Sequence, residues 1–273
     1  MIKQYGISEI KTHLTETEMH VENVALKGYT ILKNVLSTDE CKYYAQKSEE
    51  IYKIQADEFG LDNLKRINEE NVVRCPLYYD EKFVKLIVED KVHSVLKSLF
   101  NNSAYILHLQ NVIINRPNYE HHQTSWHRDI PYQEYTTSKP VAINVFYCLS
   151  PFNEETGATK ILPYSHLLEK FPSVNFAEEN SIYVEANPGD VVIFNSWLYH
   201  RASPNVSKIV RYGINHVFTL PVFKQQIDLP ALFKGKYEED GVLSMLLGYR
   251  FNVPQSVSDY RTQKLKKSTR HEY

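Results

Sequence analysis

Apolar and polar residues alternate in two different ways along this chain, and the pattern changes near residue 104. Before that point, apolar residues recur mostly at helical spacing. The clearest start signal is Ser37 followed by Glu40, an S-x-x-E capping box, and Gly60 provides the stop. The pattern predicts helices at 8–24, 37–60 and 80–99, and a strand at 28–35.

From Ala104 onward, short β-branched and aromatic runs are separated by turn residues, which is typical of strands. The predicted strands are Tyr105–Asn115, Ser125–Ile130, Val141–Leu149, Thr159–Leu162, Ile182–Glu185, Asp190–Asn195, Tyr199–Ala202 and Ile209–Leu220. That number of strands suggests a double-sheet jelly roll. We expect a single mainly β domain, residues 1–273. It comprises a helical part (1–103) packed on the sheet, a jelly-roll core (104–221) and a C-terminal extension (222–273).

Composition limits the classes of function. The chain has 273 residues, of which 42% are hydrophobic, enough for a sizeable core. Its 31 basic and 33 acidic residues are mixed along the chain and give a formal charge of −2, so neither nucleic acid nor an anionic membrane is an expected partner. Three scattered cysteines and the lack of a long apolar stretch predict a cytoplasmic protein. The oligomeric state stays open.

The strongest candidate for chemistry is a set of metal-ligating side chains. His127 and Asp129 are two positions apart in a predicted strand and therefore point to the same face. His200 supplies a third ligand from a distant strand. Two imidazoles and a carboxylate on one face are the arrangement of non-haem Fe(II) oxygenases. Zinc is the competitor, but the H-E-x-x-H pattern common in catalytic zinc sites is absent from this sequence.

Arg211 follows His200 on the next predicted strand. An arginine that points into an apolar barrel is costly unless it meets a carboxylate. A structural salt bridge is the alternative to a ligand carboxylate at this position.

Several motifs, in order from about residue 28 to 221, resemble the phytanoyl-CoA dioxygenase family of Fe(II)- and 2-oxoglutarate-dependent oxygenases. The matching segments are Gly28–Leu32, Leu36–Ser37, Trp126–Asp129, Gly157–Thr159, Leu162–His166, Pro188–Phe194 and His200–Asn205, with Arg211. The resemblance implies a double-stranded β-helix fold of the cupin-like class. It also implies a site that uses Fe(II), the cosubstrate 2-oxoglutarate and O2.

In this resemblance His127, Asp129 and His200 are the metal ligands, and Arg211 binds the distal carboxylate of 2-oxoglutarate. The implied reaction is hydroxylation of an unactivated C–H bond of a small-molecule substrate, with release of succinate and CO2. Halogenating relatives carry Gly or Ala where this chain has Asp129, so halogenation is not expected.

The family pattern would also allow three polar side chains near 2-oxoglutarate: Gln110, Asn144 and Ser203. Arg74 is a candidate for holding an anionic substrate group at the mouth of the barrel. Arg128 alternates away from the metal face.

Other residues are expected to be structural. Trp126 and Trp197 are expected to pack in the barrel. The rival histidines are expected to be exposed or structural rather than ligands: His121, His122, His166 and His216.

Two other classes of function remain open at this point: a non-catalytic cupin-like binder or sensor, and a zinc hydrolase with the same ligands. The substrate itself is not predicted, because the loops expected to recognise it, residues 117–124 and 166–181, carry no transferable motif.

Overall fold

The computed structural model describes residues 13–119, 123–130 and 134–268. The helices of its N-terminal part are α1 (Glu16–Lys27), α2 (Thr38–Phe59), α3 (Leu61–Arg66), α4 (Pro76–Tyr79), α5 (Lys82–Lys85) and α6 (Asp90–Leu99). Later helices are α7 (Val174–Asn180), α8 (Leu229–Phe233), α9 (Gly241–Leu246) and α10 (Val257–Ser268). Short 3₁₀ turns cover Leu86–Val88, Ser165–Leu167 and Tyr249–Phe251.

The start of α2 is confirmed. The Ser37 side chain accepts from the backbone N–H of Glu40, and the Glu40 carboxylate accepts from the backbone N–H of Ser37 at 2.8 Å. Two other predictions need correction. The helix expected at 8–24 starts at Glu16 and ends at Lys27, and residues 8–12 of that prediction lie outside the described part of the chain. The one expected at 80–99 is three pieces, because Glu89 adopts an extended conformation and caps α6.

Nine strands form two antiparallel sheets within the described residues. They are β1 (Tyr29–Leu32), β2 (Val72–Arg74), β3 (Ile106–Asn115), β4 (Ala142–Cys148), β5 (Lys160–Ile161), β6 (Ile182–Tyr183), β7 (Val191–Asn195), β8 (His200–Arg201) and β9 (Arg211–Thr219). The large sheet has the order β1-β7-β4-β9-β3-β2, and the small one β6-β5-β8. The sequence analysis missed β2, which is three residues long.

Alternation along the strands divides the large sheet into two faces. In β9, Ile214 and Phe218 belong to the main hydrophobic cluster, which also contains residues of α2, α6 and α9. Arg211 and Asn215 point to the opposite face and line a cavity. The helices therefore cover one face of the sheet, and the other face lies over the cavity.

The segment predicted as a strand at Ser125–Ile130 is reduced to a single bridge. Only His127 pairs, with His200 of β8, through backbone hydrogen bonds of 3.0 Å in both directions. Two positions later the chain leaves this register, because the backbone N–H of Asp129 donates to the carbonyl of Ser196 at 3.3 Å instead. The strand prediction was therefore wrong in extent.

The C-terminal extension packs on the helical side of the large sheet. Leu229, Phe233, Leu246 and Leu247 all join the main hydrophobic cluster. The predicted division into one domain with three parts stays a prediction, and this shared core supports it. Among the described residues, no helix is both long and apolar enough to cross a bilayer.

Gly189 allows the turn before β7 to pack closely on the segment that follows β1. Its φ is +93°, and a Cβ added there would lie 2.2 Å from the carbonyl oxygen of Leu36. The Gly189 carbonyl accepts from the backbone N–H groups of Val35 and Leu36 at 2.8 and 3.0 Å. A side chain at this position would therefore strain the backbone and separate the two segments.

We predict that Gly189→Ala lowers the free energy of unfolding by roughly 2–4 kcal/mol, from left-handed strain and overpacking. Chemical denaturation of the purified variant measures the change. Gly241→Ala is the matched control, because a Cβ there meets nothing within 4 Å in α9. A loss at Gly189 no larger than that at Gly241 would contradict the close packing.

Candidate active site

The backbone bridge between His127 and His200 brings two of the predicted metal ligands side by side. Their ring centroids are 4.4 Å apart. Asp129 completes the group, with its Oδ1 3.8 Å from Nε2 of His127 and 3.5 Å from Nε2 of His200. One ligand atom from each of the three residues lies within 4.8 Å of the other two. The structure thus places the three predicted ligands around one point.

Hydrogen bonds to backbone carbonyls orient both imidazoles. Nδ1 of His127 lies 2.9 Å from the carbonyl oxygen of Ser125, and Nδ1 of His200 lies 2.9 Å from that of Leu198. A carbonyl only accepts, so each neutral ring carries its proton on Nδ1. Nε2, which is directed toward Asp129, is then the ring atom that can act as a metal ligand.

A buried amide holds the other carboxylate oxygen. Nδ2 of Asn144 donates to Oδ2 of Asp129, and Oδ1 of Asn144 accepts from the Ser196 hydroxyl at 2.5 Å. Burial by itself would raise the pKa of Asp129, but His200, His127 and the Asn144 amide outweigh it and lower that pKa to about 2. The ligand is therefore a carboxylate at neutral pH, as metal binding requires.

Arg211 is buried, with 2% of its surface exposed. Its Nε and Nη1 have no hydrogen-bond partner among the described residues, and its guanidinium carbon lies 4.6 Å from the centre of the Phe152 ring. Burial lowers the pKa of Arg211 to about 10, which still leaves the group charged at neutral pH. Such a cation fits an anionic ligand that the protein alone does not supply.

The metal-ligand group and Arg211 line the same cavity, which has a volume of about 220 Å³. The rings of Phe146 and Phe194 form part of its wall. A dicarboxylate can therefore extend from the metal to Arg211 inside one partly apolar space. The residues present fit both the metal and 2-oxoglutarate.

Gln110, expected near 2-oxoglutarate, lies on the opposite face of β3, so that expectation is wrong. Its side chain accepts from the backbone N–H of Leu77 at 3.0 Å, donates to the carbonyl of Phe83 at 2.9 Å, and lies 2.6 Å from Nε2 of His216. Cavity-facing positions of β3 are odd-numbered, as Asn111 shows, and residue 110 is even.

Asn144 and Ser203 do not line the cavity either. Asn144 acts one step away, through its hydrogen bond to Asp129. Ser203 is buried in the segment after β8, where its carbonyl accepts from Nδ2 of Asn115 at 3.1 Å. A place for these two side chains near 2-oxoglutarate therefore stays a prediction.

Arg128 has a structural role. It is 3% exposed, and its guanidinium donates to the carbonyls of Trp197, Ser165 and Leu168, among others. It also lies 4.0 Å from the centre of the Tyr199 ring. These contacts tie the metal-binding segment to Trp197 and to the 3₁₀ turn Ser165–Leu167, away from the cavity.

Both tryptophans lie in hydrophobic clusters, as expected for packing. Trp197 is 3% exposed. Trp126 packs beside Phe171 on the outer side, and its indole N–H donates to Glu178 at 3.0 Å.

Two histidines that were alternatives to His200 as a metal ligand, His166 and His216, lie away from the group formed by His127, Asp129 and His200. His216 lies in the main core against Tyr147, and burial lowers its pKa to about 3. Nε2 of His166 lies 3.1 Å from the carbonyl oxygen of Ala25. Both are structural, as predicted. His121 and His122 lie outside the described residues.

Sequence reasoning missed two asparagines of the cavity wall, Asn111 and Asn215. Asn215 shares the parity of Arg211 on β9, so the alternation rule that excluded His216 was enough to find it. Asn111 is opposite Asn215 across β3 and β9, a register that the sequence does not reveal.

The sequence profile of the phytanoyl-CoA dioxygenase (PhyH) family matches residues 25–213. The chain belongs to this family. The uncharacterized protein Rv1501 of Mycobacterium tuberculosis is 30% identical over 243 residues, which are 85% of this chain and 87% of that protein. Dioxygenase cdmD of Talaromyces verruculosus is 25% identical over 136 residues, which are 50% of this chain and 44% of that protein.

Solved structures confirm the predicted fold. The non-heme α-ketoglutarate-dependent epimerase SnoN from nogalamycin biosynthesis matches with a TM-score of 0.55 at 16% identity, over 75% of this chain and 81% of SnoN. The nickel complex of the non-heme monooxygenase ThoJ matches with a TM-score of 0.57 at 17% identity, over 74% of this chain and 77% of ThoJ. The architecture is the jelly roll of this enzyme class with flanking helices.

Family membership and the His-Asp-His group confirm the expected cofactors, iron and 2-oxoglutarate. This PhyH-family chain is therefore an oxidoreductase of the dioxygenase type.

We predict that Asn144→Leu weakens Fe(II) binding by about 10–100-fold, because residues that orient metal ligands typically have effects of this size. Anaerobic metal titration measures the affinity. Asn115→Leu is the control, since it removes another buried amide of the same sheet whose hydrogen bonds go to the carbonyls of Gly157 and Ser203. Equal metal affinities in the two variants would contradict a supporting role for Asn144.

Proposed function

We propose that this chain is an Fe(II)- and 2-oxoglutarate-dependent hydroxylase. It inserts one oxygen atom of O2 into an unactivated C–H bond of a small-molecule metabolite or natural-product intermediate, and the other oxygen atom enters succinate as 2-oxoglutarate loses CO2. The observation that carries the proposal is the buried Arg211, which lies in the same cavity as the three metal ligands and has two guanidinium nitrogens without a hydrogen-bond partner among the described residues. The cation fits the distal carboxylate of 2-oxoglutarate, which neither a zinc hydrolase nor a barrel without a carboxylate ligand would require.

In this proposal His127, Asp129 and His200 hold Fe(II) on one face, and Arg211 binds the distal carboxylate of 2-oxoglutarate through its planar fork. When bound, iron with 2-oxoglutarate and O2 supplies the oxidising chemistry. The protein orients the cosubstrate along the cavity and keeps water from the reacting atoms by means of walls such as Phe146.

The small-molecule class draws support from relatives. SnoN has been solved in complex with Fe3+, α-ketoglutarate and nogalamycin RO. The formal charge of −2 also gives no general attraction for nucleic acid.

A metabolite library tests the proposal. We expect Fe(II)-dependent release of succinate from 2-oxoglutarate, stimulated by the true substrate. Turnover of a compound with zinc and without 2-oxoglutarate would favour the hydrolase, and iron binding without any turnover of 2-oxoglutarate would favour the binder.

We predict that Arg211→Lys weakens 2-oxoglutarate binding by about tenfold or more while iron stays bound. The reason is that a charged hydrogen bond in a partly dry site contributes roughly 1.5–3 kcal/mol, and lysine cannot form the bidentate pair. Titration of the iron-loaded protein with 2-oxoglutarate under argon measures the affinity. An affinity equal to that of the wild type would make Arg211 structural.

The reaction outcome gives a further prediction. Asp129 supplies the carboxylate ligand, so chloride finds neither space nor a favourable charge at that coordination position. With the true substrate in 18O2, the product should gain one labelled oxygen, as mass spectrometry would show. A chlorinated product in chloride buffer would refute hydroxylation, and an unlabelled product two hydrogens lighter would identify a desaturase.

A further inference from the structure

Three polar side chains cross the large sheet in register on its cavity face. Arg74 of β2 pairs with Asn111 of β3, and Asn111 pairs with Asn215 of β9. All three line the cavity, and we call them the polar row. Gln226, from the C-terminal extension, lines the cavity beside Arg74. The proposed binding of iron and 2-oxoglutarate assigns no role to these four residues.

The amide of Asn215 has a fixed orientation. A carboxylate only accepts hydrogen bonds, so Asn144 must turn its NH2 group toward Asp129. The same NH2 group donates to Oδ1 of Asn215 at 3.2 Å. This bond occupies the side-chain carbonyl of Asn215. The NH2 group of Asn215 has no hydrogen-bond partner among the described residues. Asn215 therefore offers the cavity two N–H donors, two hydrogen bonds away from a metal ligand.

At the other end of the row, Arg74 orients two more amides. Its Nη1 donates to Oε1 of Gln226 at 3.2 Å and, in the amide orientation that satisfies both neighbours, to Oδ1 of Asn111 at 2.6 Å. Both carbonyls are turned toward Arg74, which leaves the NH2 group of Gln226 as a donor at the exposed edge of the cavity.

The charge of Arg74 is already compensated. Oε1 of Glu69 accepts from Nε at 3.0 Å and from Nη2 at 2.6 Å. With Fe(II) and the 2-oxoglutarate dianion bound, their formal charges and those of Asp129 and Arg211 would also add up to zero. The described cavity wall therefore offers hydrogen-bond donors without net positive charge. A buried substrate anion would lack a partner there, and its desolvation would be unfavourable.

We propose that Asn215 and Gln226 bind uncharged acceptor oxygens of the primary substrate, such as carbonyl, hydroxyl or ether oxygens. Asn215 binds the oxygen nearest the iron, and Gln226 binds one at the outer edge. Arg74 orients the amides and does not hold an anionic group, which replaces the role expected from the sequence. This inference rests on the proposed function for the location of the substrate, and on the observed hydrogen bonds for its class.

The test compares neutral and anionic probes on the same carbon skeletons: cinnamamide with cinnamate, and 2-naphthamide with 2-naphthoate. Binding is measured under argon by the shift that each probe causes in the visible band of the protein loaded with Fe(II) and 2-oxoglutarate. We expect the wild type to bind the amides at least threefold more tightly than the carboxylates. Glu69→Gln, which leaves Arg74 uncompensated, should move this preference at least tenfold toward the carboxylates.

Glu70→Gln is the matched control, because the neighbouring Glu70 contacts Lys65 and not Arg74. This variant should leave the preference for amides over carboxylates unchanged. Asn215→Leu should weaken amide binding at least fivefold without a matching loss of 2-oxoglutarate affinity. Gln226 is exposed, so Gln226→Leu gives a second test with little risk to folding.

A wild-type preference for the carboxylates, or no binding of either amide at millimolar concentration, would overturn the inference. An unchanged preference in Glu69→Gln, or an equal loss of 2-oxoglutarate affinity in Asn215→Leu, would do so as well. The visible band of the wild type distinguishes these results from failure of the proposed function: if the band never forms, the cofactor site itself is wrong.

Discussion

The site depends on a short piece of backbone pairing. His127 and His200 are far apart in sequence, and two reciprocal hydrogen bonds of 3.0 Å between their backbones place their side chains next to each other. Asp129 joins them from a segment that has left the strand register, where its backbone N–H donates to the carbonyl of Ser196. Since Ser196 also donates to Asn144, which holds the Asp129 carboxylate, one connected set of hydrogen bonds fixes the third ligand. Because these hydrogen bonds already hold the ligand side chains in place, few of their rotamers have to be fixed when a metal binds.

Arg211 creates the complementary constraint. Two nitrogens of its buried guanidinium have no hydrogen-bond partner among the described residues, an unfavourable arrangement that a dianionic ligand would relieve. The strand alternation that buries Arg211 also places Asn215 on the same face, four residues along β9. Under the proposed function, one strand therefore carries both the residue that binds the cosubstrate and a donor for the substrate, and both residues line one cavity. This arrangement explains how a single sheet can orient two ligands relative to each other.

Local signals in the sequence predicted much of this structure, including the capped start of α2 at Ser37, most strands and the grouping of His127, Asp129 and His200. The predictions that failed concern features that depend on how the strands pair in the folded chain. The role given to Gln110 needed the register of β3 against β9, which places Asn111 rather than Gln110 opposite Asn215. The contact between Arg74 and Asn111 needs the register of β2, a strand too short to give a pattern. The expected strand around His127 was shortened because pairing depends on the partner strand as well as on local propensity.

The central claim is that one site holds both Fe(II) and 2-oxoglutarate. The most direct measurement is the visible spectrum of the protein after Fe(II) and 2-oxoglutarate are added under argon, in the wild type and in His200→Ala. The account predicts a weak metal-to-ligand charge-transfer band in the wild type, saturating at one iron per chain, and its loss in the variant. An unchanged band in His200→Ala, or no band in a folded wild-type protein, would contradict the account.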